Sequence, residues 1–113
     1  MSRKHHVPRP VKKSEYAIIC ATRSAETGWR DLLATHRNAV TETWDFLTRT
    51  PLQVTPTNYP LKGALGEVTR NQATYDRWQH KPTAGGTARI WFYVDGQNVY
   101  LEQVHTSHPN ETK

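Results

Sequence analysis

Apolar residues first gather at Glu15–Thr22, EYAIICAT, where the β-branched pair Ile18–Ile19 predicts a buried strand. The spacing then changes. Trp29, Leu32, Leu33, Val40, Trp44 and Leu47, filled in by Ala39 and Phe46, recur at largely helical intervals and mark an amphipathic stripe. His36-Arg37-Asn38 interrupts that stripe. Two helices are therefore expected, 25–35 capped by Ser24 and 38–49 capped by Asn38, folded as a hairpin and closed by Pro51. Residues 51–60 carry three Pro and read as loop.

Period-two patterns return in the second half. Tyr75–Lys81 reads as a strand and Gly85-Gly86 as a turn. Ala88–Val94, ARIWFYV, is the strongest strand signal, and Asp95-Gly96 is a hairpin dipeptide leading into a last strand, Val99–Thr106. The order β-α-α-β-β-β predicts an α+β domain, with a helical hairpin packed on one face of a small, mainly antiparallel sheet. The first strand must join by a crossover, and the last three should form a meander that leaves the second face open. Alternation assigns Ile90, Phe92 and Val94 to the core and Arg89, Trp91 and Tyr93 to the open face. A cation beside two aromatics suits RNA phosphates and unstacked bases.

Composition narrows the class. The chain has 113 residues, enough for one domain, and its 35% apolar content is concentrated in four Trp, five Tyr and two Phe. No apolar run approaches the roughly 20 residues of a membrane helix, and no apolar segment follows the N-terminal charges as in a secretory signal. Cys20 stands alone, which excludes an internal disulfide and a thiolate zinc site. The expectation is a soluble cytoplasmic domain without cofactor or metal.

The net charge of +5 is unevenly placed. Arg3, Lys4, Arg9, Lys12 and Lys13 put five cations and no acid into residues 1–13, while the rest carries ten bases and ten acids. Residues 1–14 are thus expected to be a disordered basic arm, a handle for nucleic acid or a plain solvated tail, and 15–113 the folded domain.

The ordered set of features resembles the RelE/ParE superfamily of bacterial toxins over Glu15–Lys113. It comprises the Trp-bearing helical hairpin, Leu61-Lys62-Gly63, Arg77-Trp78-Gln79, ARIWFYVDG and Val104-His105-Thr106-Ser107-His108. The basic arm departs from that pattern. The resemblance implies a toxin neutralised by an antitoxin, alone or as a small oligomer with it. RelE-like members cut mRNA in the ribosomal A site, whereas ParE-like members poison DNA gyrase.

The choice between them rests on site chemistry. RNA cleavage without a metal needs a base for the 2′-hydroxyl, an acid for the leaving 5′-oxygen and cations for the phosphorane. Histidine serves either proton transfer. Three of the six His, His80, His105 and His108, fall on or beside the expected sheet, with Arg77, Lys81 and Arg89 on the same strands.

By resemblance Arg89 is the phosphate-binding arginine and Lys81 lies near the family's basic strand position. Either His105 or His108 takes the final catalytic place. The expected catalytic set is Arg89, His105, His108 and His80, with Arg77, Lys81, Trp91 and Tyr93 contacting RNA. Two structural alternatives stand beside it. Arg89 would pair with Asp76 or Glu102, and His80, sharing parity with Trp78, would point inward unless a bulge intervenes. The expected function is a ribosome-dependent mRNA endoribonuclease, against a gyrase inhibitor or a non-catalytic binding domain.

Overall fold

The computed structural model describes residues 14–106; the arm up to Lys13, His108 and the rest of the C-terminal tail lie outside the described residues. Strand β1 spans Ala17–Cys20 and leads into helices α1, Arg23–Thr35, and α2, Arg37–Arg49. The cap of α1 is Thr22, whose Oγ1 accepts from the Ala25 N–H at 3.0 Å, so Ser24 already lies inside the helix. His36 closes α1 and opens α2, and Asn38 falls within α2. The helical hairpin matches the apolar spacing; its caps each lie two residues earlier than Ser24 and Asn38.

Among the described residues seven strands form two sheets. The larger runs β1-β7-β6-β5-β2, with β2 at Asn58–Pro60, β5 at Trp78–His80, β6 at Arg89–Asp95 and β7 at Asn98–His105. β1 pairs parallel with β7, the expected crossover, and β5-β6-β7 is the expected antiparallel meander. The Pro-rich segment is not all loop. Buried Asn58 donates through Nδ2 to the carbonyls of Pro51 and Gln53, each at 2.9 Å, and this tether lets three residues pair with β5 at the sheet edge, where Pro60 is tolerated.

The expected strand 75–81 breaks at Arg77 into β4, Ala73–Asp76, and β5. β4 pairs with β3, Glu67–Arg70, through a turn in which Asn71 and Gln72 both have positive φ, 52° and 67°. This hairpin covers the second face of the large sheet. Tyr75 stacks on Tyr93 at 4.9 Å, and Tyr93 on Tyr100 at 5.1 Å. The face expected to be open is closed over its middle: Trp91 and Tyr93 are 1% and 6% exposed.

Between helices and sheet lies the core, with Leu32, Val40 and Leu47 against Trp78, Ile90, Phe92, Val99, Leu101 and Val104. α1 crosses β7 so closely that a Cβ on Gly28 would collide with the Val104 carbonyl. Among the described residues no helix is long and apolar enough to cross a membrane.

The pairing of β6 with β7 carries one irregularity. Trp91 pairs with Gln103 but Phe92 with Leu101, so Glu102 is an extra residue, a β-bulge. Before it Val99 and Leu101 face the core. After it the parity changes, Val104 faces the core, and Gln103 and His105 turn to the other side.

Candidate active site

The β5–β6 register pairs Gln79 with Trp91 and His80 with Ile90. Continued by one residue, it sets Lys81 beside Arg89, and Arg89 lies directly opposite His105. The Lys81 N–H donates to the Thr57 carbonyl at 2.8 Å and holds the strand in line there. Lys81, Arg89 and His105 thus form one row across three strands, on the face away from the helices. Facing side chains in such a row sit about 5 Å apart at Cβ.

Beneath that row a polar lattice fills the sheet surface. The Trp91 Nε1–H donates to Gln79 Oε1 at 2.9 Å, and Gln79 Nε2 donates to the Tyr59 hydroxyl at 2.8 Å. Lys81 Nζ lies 5.5 Å from the centre of the Tyr59 ring, a cation–π distance. Trp91 is therefore a buried wall of the site, and Tyr93 a member of a tyrosine stack. Neither offers a free ring to a base, which corrects the expected stacking role of both.

Arg89 is only 9% exposed and pairs with neither Asp76 nor Glu102. Its Nη1 donates to the carbonyls of Gly86 at 3.0 Å and Ala88 at 2.8 Å, so the Gly85-Gly86 turn orients the guanidinium. Its buried Nε has no partner among the described residues. A charged donor left unsatisfied at a sheet end is costly.

His105 is half-buried, and its Nε2 lies 2.7 Å from Gln103 Oε1. Both residues line a cleft of about 400 Å³ whose other wall is Ser24, Thr27, Gly28 and Asp31, one stripe of α1. His108, the other candidate for the final position, is outside the described residues.

The remaining expected residues are engaged elsewhere. His80, 6% exposed, points toward α2, as parity with Trp78 indicated. Asn58 spends its Nδ2 on carbonyls, so its Oδ1 accepts from His80 Nδ1 at 3.1 Å, and His80 Nε2 accepts from the Thr43 hydroxyl at 3.2 Å. Phe46 stacks on the ring at 5.3 Å, and burial lowers the His80 pKa to about 4. A neutral, fully bonded imidazole on the helix side does not join the row, and His80 leaves the catalytic set.

Arg77 binds Glu102 rather than a phosphate. Its Nε donates to Oε1 at 2.8 Å and its Nη2 to Oε2 at 3.4 Å, while Arg70 Nη2 reaches Oε2 at 3.1 Å. The Arg77 guanidinium also lies 5.3 Å over Trp91. Sequence reasoning missed Gln79, Tyr59 and Gln103. It named Glu102 as a partner for Arg89, not for Arg77. An acid inside the apolar strand NVYLEQVH was the available signal that a buried cation would meet it.

This arrangement of hairpin, crossover strand and meander is a RelE-like α+β fold. The chain is similar to the YoeB/ParE toxin from Agrobacterium tumefaciens, with a TM-score of 0.58 and 22% identity over 82% of this chain and 99% of that one. No family model matches the chain, and no curated protein matches it.

Proposed function

We propose that this chain is the toxin of a toxin–antitoxin pair and that it acts as an mRNA endoribonuclease on the ribosome, in the cytoplasm. The observation that carries this reading is the row Lys81–Arg89–His105, an imidazole aligned with two cations on one sheet face. Arg89 and Lys81 hold the scissile phosphate and the negative charge that grows on the phosphorane. His105 exchanges a proton with the 2′-hydroxyl or the leaving 5′-oxygen, a task suited to a half-exposed imidazole. The fold likeness to a YoeB/ParE toxin supports the same class. An antitoxin is the implied protein partner.

Induced expression followed by pulse labelling tests it. Protein synthesis should fall before DNA synthesis, and primer extension should find new mRNA 5′ ends. DNA synthesis failing first, with gyrase-linked breaks, would replace the nuclease by a gyrase inhibitor.

A further inference from the structure

Gln103 occupies its position because of the bulge. Were the strand to alternate regularly through Glu102, Gln103 would share the core side with Leu101; the bulge instead sets Gln103 and His105, two residues apart, on the face that carries Arg89. There the Gln103 carbonyl oxygen lies 2.7 Å from His105 Nε2. A carboxamide oxygen only accepts, so the imidazole must keep its proton on Nε2. His105 Nδ1 then carries the lone pair and makes no hydrogen bond among the described residues.

We propose that Gln103 is a positioning residue that fixes His105 as the Nε2–H tautomer and leaves Nδ1 as the nitrogen that exchanges the proton. The role rests on the nuclease reading of His105; the contact itself does not. The charged groups facing His105 are Arg89 opposite it on β6, Lys81 beyond Arg89, and Asp31 across the cleft on α1. Two cations and one acid oppose one another around the ring. Gln103 is neutral and acts through geometry rather than charge.

Two variants of the full chain separate orientation from mere packing. Two-bond proton–nitrogen spectra of the wild type, recorded above the His105 titration, should show a single tautomer with a basic Nδ1. Gln103→Leu should give a mixture of tautomers and lower kcat for mRNA cleavage on ribosomes about 10-fold, the loss expected for one neutral hydrogen bond, with KM unchanged. Gln103→Glu keeps the acceptor and adds a charge. It should restore the single tautomer, raise the His105 titration by about 1 unit or more, and carry the pH–rate limb with it. A wild-type Nδ1–H tautomer, or a His105 titration indifferent to Gln103→Glu, overturns the proposal. A change in melting temperature with tautomer and pH profile intact overturns it as well. A wild-type chain that cuts no RNA overturns the nuclease reading instead, and the nitrogen shifts still decide whether Gln103 holds the ring.

Discussion

The two faces of the five-stranded sheet bury side chains of opposite character. Toward the helices lie Trp78, Ile90, Phe92, Val99, Leu101 and Val104, and the polar intruder, His80, has both ring nitrogens bonded. Away from the helices lie Gln79, Arg89, Trp91, Glu102, Gln103 and His105, with Trp91 bonded to Gln79, Arg77 to Glu102 and His105 to Gln103. Burial does not distinguish the faces, since His80 and Arg89 are 6% and 9% exposed. Completeness does. His80 has no bonding capacity left over, whereas Arg89 retains a buried donor with no acceptor among the described residues. Of two buried polar groups, the incomplete one is the one the proposed site uses.

That contrast can be broken in four places, taken from the largest expected effect to the smallest. If charge pairing holds the hairpin side together, Arg77→Leu leaves the 4%-exposed Glu102 carboxylate with only half-exposed Arg70. Urea unfolding should then show a loss of about 3 kcal/mol. A loss below about 1 kcal/mol would mean that the face is held by Trp91 and the tyrosine stack instead.

Arg89→Ala should cut toxicity or mRNA cleavage on the order of 100-fold or more while the protein still folds. Arg89→Lys should rescue poorly, because a point charge lacks the forked geometry. A folded and fully active Arg89→Ala protein would remove the row from the chemistry.

On the helix side the prediction concerns pH. The folded pKa of His80 is lowered to about 4, below the ordinary 6.5, so its stabilising effect is complete above about 6.5. As pH falls, the unfolded chain takes up the proton first, and stability declines until the folded state also protonates near 4. Between pH 7.5 and 5 the wild type should lose about 2 kcal/mol from this group, and His80→Gln should lose that much less. Equal pH slopes in the two proteins would mean that His80 is protonated in place.

The smallest effect lies in the hairpin turn. Gln72 holds a positive φ of 67°, a conformation that glycine adopts without penalty. Gln72→Gly should raise stability by about 0.5–1 kcal/mol with no change in activity. If activity also rises or falls, the hairpin does more than cover the sheet.

Much of this fold could be read from periodicity. The helical hairpin, the parallel crossover and the meander follow from apolar spacing, which reports burial on one side of a regular element. Parity alone foretold that His80 turns inward with Trp78. What stayed hidden lacked a period. β2 is three residues ending in Pro60, and β3 and β4 are four-residue strands, EVTR and ATYD, held by a turn of two non-glycine residues. With that hairpin unseen, Trp91 and Tyr93 read as exposed. Alternation with Ile90 and Phe92 puts Arg89 on the second face, and the resemblance adds the phosphate-binding role proposed for it. Its place beside His105 depends on a register shift that exists only between two strands and leaves no trace in either alone.

The extra residue at Glu102 matters to the site through its chemistry rather than through counting. Removing one codon there would leave His105, Val104 and Gln103 all present in the gene. The shortened strand would alternate regularly, so Leu101 would still pair with Phe92 and Gln103 with Trp91, Val104 would keep to the core, and His105 would stay opposite Arg89. Chain length at this one point can therefore vary by a residue without moving the row, and what the extra residue adds is the carboxylate that binds Arg70 and Arg77.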